Sequence, residues 1–262
     1  MGMEFFDIHC HVLPKIDDGS QSWEETMKMV TRAHETGTTQ LAITHHIINP
    51  KDFERENEIV EKYEELKERL KAASIPMKLH LGSELYYAHD LDLNHRIATY
   101  NDNKRYFLVE FPMQGIPKYC DEKFFEFIVD NRNPILAHPE RNLGIIKNPM
   151  RAFELVQRGV LLQLNSGSLT GMYGEQVRQT AFLLLKAGLI HLVGSDGHNI
   201  MRRPLIIDEA YDYILSHYGE RKAMKIFYEN PWRAMNGDDI EIDEPMPVEA
   251  PAKKGFFKRL GF

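Results

Sequence analysis

Short apolar runs alternate with longer amphipathic stretches along most of the chain, and that alternation predicts the elements. Residues 5–8 read as a first strand. Ser22, Trp23, Glu24 and Glu25 have the form of a capping box, after which Trp23, Met27, Val30 and Ala33 share one helical face until Gly37 ends it. A second buried strand at 40–44 precedes a long helix with the apolar stripe Ile59, Tyr63, Leu66 and Leu70, and Pro76 forbids its continuation. Further strands are expected at 77–82, 106–109, 134–137, 160–164 and 190–194. Helices are expected at 122–129 and 175–187, from the N-cap and first-turn pair Asn148 and Pro149, and twice more after Pro204. Seven strands alternating with helices imply parallel pairing through right-handed crossovers.

Each expected strand delivers polar residues at its C-terminal end. The first gives His9 and His11, which alternation puts on one face with Cys10 on the other, followed by Asp17 and Asp18. The second gives His45 and His46, the third Glu84, the fourth Glu110, and the fifth His138 with Glu140 and Arg141. The sixth offers only Asn165, Ser166 and Ser168, and the seventh Asp196 and His198, with Arg202 and Arg203 beyond. Strand C-termini are where barrel enzymes build their sites. The fold expected is therefore an α/β single domain, a barrel of about seven strands varied from the eightfold design. An open doubly wound sheet is the alternative, but it could hardly converge so many strand ends on one point.

Length and charge narrow the function. The 262 residues are ample for one large core, and a net charge of −7 argues against a general nucleic-acid binder. Two cysteines make no disulfide framework, and with no secretion signal or membrane-spanning run the expected location is the cytoplasm. Past Gly237 the chain turns acidic, then Pro-rich, then basic and aromatic from Lys253 to Phe262. Residues 1–236 are expected to form the domain and 237–262 a mobile spacer and tail, the tail a candidate for recruitment to a partner or a membrane surface.

Seven elements in order, His9-x-His11, Asp18, His46, Glu84, Glu110, His138 with Arg141, and Asp196-x-His198, resemble the PHP (polymerase and histidinol phosphatase) metallophosphoesterases. The closer resemblance is to their bacterial capsule-regulating tyrosine-protein phosphatase branch. It runs from about residue 3 to 236 and implies a distorted seven-stranded barrel. It also implies three divalent ions, manganese first, with iron, zinc and magnesium compatible with the mixed nitrogen and oxygen ligands. The implied groups are His9, His11, Glu84 and Asp196; Glu84, Glu110 and His138, with Glu84 bridging; and Asp18, His46 and His198. The choice of Asp18 over Asp17 and of His46 over His45 follows the family's spacing. Arg141 and Arg203 match the family's phosphate-binding arginines, with Arg202 the rival of Arg203.

Charge supports metals without the family, because Asp18, Glu84, Glu110 and Asp196 in one pocket would repel unless cations lay between them. The resemblance implies a phosphatase acting on phosphotyrosine, on the tail of a bacterial tyrosine kinase that controls capsule or exopolysaccharide synthesis. The alternatives are a small-molecule phosphatase such as one for histidinol phosphate, and a non-enzymatic docking regulator. A thiol-based phosphatase is excluded: six residues after Cys10 stands Ile16 and after Cys120 Glu126, where an arginine is needed.

Overall fold

The computed structural model describes residues 4–248, so the basic and aromatic end at 253–262 lies outside the described residues. Strand segments follow in chain order as β1 (Phe5–Cys10), β2 (Thr38–Ile43), β3 (His46–Ile47), β4 (Lys78–Leu81), β5 (Glu84–Tyr86), β6 (Tyr106–Glu110), β7 (Asn133–Ala137), β8 (Leu161–Asn165) and β9 (Leu192–Gly194). All pair in parallel, in two sheets ordered β1-β2-β4 and β3-β5-β6-β7-β8-β9. Helices occupy the crossovers, giving one α/β domain.

Two of the seven expected strands are each followed, after a two-residue break, by a further short strand that was not expected. Between β2 and β3 lie Thr44 and His45, and between β4 and β5 lie Gly82 and Ser83. At the break the Glu84 amide faces two carbonyls, Thr44 O at 3.2 Å and His45 O at 3.0 Å, while the register is kept across it, Ile43 pairing with Leu81 before and His46 with Glu84 after. Gly82 is needed there because a Cβ would lie 2.9 Å from the Tyr100 ring. Beyond the break His46 and Glu84 are paired residues on neighbouring strands.

No single closed sheet forms among the described residues, yet β1 meets β9. The Asp196 amide donates to His9 O and the His11 amide to Gly197 O, both at 2.8 Å, and the buried Asp7 Oδ1 accepts the Ser195 amide at 2.8 Å. Alternate strand residues divide the core. Ile8, Leu108, Ile135, Leu161 and Leu192 pack in one small cluster, while Val109, Leu136, Leu162 and Val193 join the larger one shared with the helices.

Ser22 caps the helix Trp23–Glu35 as expected, its side chain accepting the Glu25 amide. The buried face is Thr26, Met29, Val30 and Ala33, rotated from the expected stripe, and the partly buried Trp23 ring lies 4.5 Å from the Arg69 guanidinium. Part of the segment expected to be a mobile spacer is held down. Lys222 and Lys225 both pair with Asp243, the Met246 amide donates to Ala187 O, and Val248 is buried.

Candidate metal centre

The nine residues singled out as ligands converge from the strands and the loops that follow them, in overlapping groups. His9, His11, Glu84 and Asp196 form one group, His11, Asp18, His46 and His198 a second, and His46, Glu84 and Glu110 a third, with ligand atoms within 4.8 Å of one another in each. His138 joins the third, its Nε2 2.9 Å from Glu84 Oε1 and 3.7 Å from Glu110 Oε2. The groups therefore share more than the bridging Glu84 expected from sequence: His11 and His46 each stand in two.

The first group has the dimensions of a cation cage. His9 Nε2 and His11 Nε2 are 3.1 Å apart and each lies 3.1 to 3.6 Å from Glu84 Oε2 and Asp196 Oδ1. Donors 2.0–2.1 Å from one tetrahedral ion stand about 3.3 Å apart. Outer partners orient the rings. His9 Nδ1 is 2.9 Å from Gln163 Oε1, His11 Nδ1 2.7 Å from Asp17 Oδ2, and His198 Nδ1 2.8 Å from Asp196 O. Each acceptor requires the proton on Nδ1, which leaves the Nε2 lone pair facing inward. Glu84 Oε2, Asp196 Oδ1, His46 Nδ1 and His198 Nε2 are buried without a hydrogen-bond partner. Buried polar atoms are rarely left so, and here they converge, which fits cations and not a core of satisfied side chains.

The electrostatics are those of crowded carboxylates. Burial, then the charge of Glu84, pushes Glu110 up to about 8. Burial also acts against ionised Asp196, but the charges of His9 and Arg203 hold it below the usual carboxylate range. Burial holds His46 and His198 below the ordinary histidine value, whereas for His9 and His11 the surrounding carboxylates outweigh burial and raise both, His11 to about 10. Two of the candidate ligands, His138 with φ 33° and Asp196 with φ 55°, have left-handed backbone that such residues seldom adopt.

The arginines meet at one atom. Arg141 Nη1 lies 2.6 Å and Arg203 Nη2 2.5 Å from Asp196 Oδ2, which also accepts Asn165 Nδ2 at 2.7 Å. The Arg141 guanidinium stacks 4.3 Å from the Tyr173 ring. Arg202 is exposed and joins the site only through its backbone amide, which Asn199 Oδ1 accepts.

Sequence reading missed the outer partners. Asp17 was weighed only as a rival of Asp18, whereas it accepts from His11, the His46 amide and the Gly19 amide. Gln163 carried a signal, being one amide inside the apolar run Leu161, Leu162, Leu164. The buried Glu140 accepts from Ser168 Oγ at 2.6 Å and the Asn165 amide at 3.1 Å. Both cysteines are free and buried, and burial raises the Cys10 thiol well above its ordinary value and pushes Cys120 up to about 11, so neither is a ready nucleophile.

Comparison with known proteins agrees with this chemistry. The family described as "Capsular polysaccharide synthesis, CpsB/CapC" matches residues 5–236. Tyrosine-protein phosphatase YwqE of Bacillus subtilis (strain 168) is 33% identical over 254 residues, 96% of this chain and 99% of that protein. Tyrosine-protein phosphatase CpsB of Streptococcus pneumoniae is 30% identical over 233 residues, covering 86% of this chain and 96% of its own. A crystal structure from work on YwqE and CpsB, described there as unique metal-dependent tyrosine phosphatases, superposes with a TM-score of 0.84 at 31% identity. That match covers 93% of this chain and 99% of the other.

Proposed function

The chain belongs to the CpsB/CapC capsular polysaccharide synthesis family, and from that premise we propose that it is a metal-dependent protein-tyrosine phosphatase. It hydrolyses phosphotyrosine in the cytoplasm, on the tail of a bacterial tyrosine kinase that governs capsule or exopolysaccharide synthesis. The observation that carries the reading is the convergence of four buried, unpartnered ligand atoms, on Glu84, Asp196, His46 and His198, beside two arginines. Residues 1–236 are the catalytic domain. Its two sheets, joined where β1 meets β9, support reading it as the distorted seven-stranded barrel. No helix among the described residues is long and apolar enough to cross a membrane. We assign recruitment to the basic and aromatic residues at 253–262.

Three divalent ions, manganese foremost, are assigned to the three groups, with His138 completing the one at Glu84 and Glu110. Such ions supply Lewis-acid polarisation of a phosphoryl group and an acidified water. The protein's own groups do the rest. Gln163 and Asp17 hold the His9 and His11 protons on Nδ1, and Asn165 fixes Asp196. Arg141 and Arg203 share Asp196 Oδ2 through one nitrogen each, and other Nη donors of the pair would take phosphoryl oxygens. A tyrosyl leaving group, with a pKa of about 10, departs with less protonic help than an alkoxide would need.

The test is parallel turnover of a phosphotyrosyl peptide and histidinol phosphate by manganese-loaded protein, with and without chelator. The expected result is faster hydrolysis of the peptide, lost on chelation and restored by metal. Faster turnover of histidinol phosphate, or peptide hydrolysis that survives removal of all metal, overturns the proposal.

A further inference from the structure

A cavity of about 310 Å³ opens directly off the metal centre, meeting it at Asp18, His46 and Glu110. Its other walls are Ile16, Ile47, Ile48, Ile59 and Tyr86. The remaining polar residues lining it, Asp17, Asp52 and Arg55, are engaged elsewhere, Asp17 with His11 and with the His46 and Gly19 amides. Asp52 accepts the Ile48 and Asn49 amides, and Arg55 pairs with Glu58 and donates to the carbonyls of Lys15 and Ile16. The cavity is thus two-ended, with ligand-type side chains at the mouth and an apolar lining beyond. Its volume is at the lower end of small-molecule pockets, about 300–1,000 Å³, and suits one aromatic side chain better than a long chain or a sugar.

Resting on the phosphatase reading above, we propose that this cavity receives the phenyl ring of an aryl phosphate, with Ile48 and Tyr86 as its specificity-determining residues. The phosphoryl group then lies at the centre and the ring against isoleucine and tyrosine side chains. Ile48 is 59% exposed, so it can be replaced without disturbing the core, and a ring docking beside it would cover apolar surface otherwise left in water.

The experiment compares phenylphosphonate with methylphosphonate, which share a head group, as ligands of the manganese-loaded protein by titration calorimetry. Covering about half of an aromatic ring's surface gives a preference for the phenyl compound of roughly ten- to thirtyfold. Ile48→Asn and Tyr86→Ala should each cut that preference at least roughly fivefold while leaving methylphosphonate affinity and metal content unchanged. An unaltered preference in both variants, or no preference in the parent protein, overturns the assignment. Since binding is read without turnover, a protein that hydrolyses no phosphotyrosyl peptide but keeps a preference sensitive to both substitutions would retain the pocket and lose only the phosphatase reading.

Discussion

The Nε2 atoms of His9 and His11 stand 3.1 Å apart with both Nδ1 atoms engaged by other side chains. Two inward lone pairs that close repel unless a cation lies between them, and Glu84 Oε2 is 3.1 and 3.2 Å from them. Glu84 is shared between groups whereas Asp18 serves one and has a side chain 66% exposed. Glu84→Ala should therefore remove most of the bound metal and lower turnover at least roughly a thousandfold, while Asp18→Asn should lose about one equivalent. Elemental analysis after dialysis decides this, and equal metal loss in the two variants contradicts it.

Arg141→Ala and Arg203→Ala should each lower the catalytic rate by roughly a hundred- to thousandfold, the effect of about 2.7–4 kcal/mol typical of a lost preorganised donor. KM should move less than kcat, because the fork acts on charge that builds in the transition state. Arg202→Ala should match the parent protein. A large loss in Arg202→Ala with little in Arg203→Ala would reverse the assignment.

Asp17 has a role the sequence did not separate from that of its neighbour. Its carboxylate orients His11 and anchors the His46 amide, and although burial disfavours its ionised form, His11 and the amides it accepts from hold it well below the usual carboxylate range. Asp17→Asn should weaken metal binding roughly ten- to a hundredfold, with activity returning as metal is raised. Activity that stays low at saturating metal would mean that Asp17 acts on the reaction itself.

Acid should destabilise the fold through His191, which is buried with its Nδ1 accepting the Leu162 amide at 3.0 Å. Burial, then the charge of Lys222, pushes it down to about 3. The folded chain keeps this ring neutral while the unfolded chain takes up a proton near 6.5. Its contribution is therefore intact above about pH 6.5 and lost as pH falls toward 3, by up to about 1.4 kcal/mol per pH unit. Urea unfolding of His191→Gln at pH 6 and pH 4 should show a shallower dependence than the parent protein, and identical slopes would rule His191 out.

Much of this was legible because ligand chemistry uses few residue types and barrel-like folds put them at strand ends. His9, His11, Glu84 and Asp196 could be picked out by type, order and position alone. How they group could not, since that depends on side-chain direction past a break in the strands. Gly82 was the sole local sign of that break, and its reason, the ring of Tyr100, is 18 positions away in sequence. The anchoring of Asp243 by Lys222 and Lys225 was likewise invisible, because charged residues after the last helix look the same whether solvated or paired.

The seam between β1 and β9 brings the start of the domain against its end: Asp7 bonds Ser195, and His9 shares a ligand group with Asp196. A cation gripped by both would tie the two ends of the folded domain together. Unlike a disulfide, such a clasp would be lost on unfolding, so it would stabilise the folded chain only by the free energy of binding the cation, and by an amount that rises with the metal concentration. Metal supply would then govern how long the protein survives proteolysis as well as how fast it turns over.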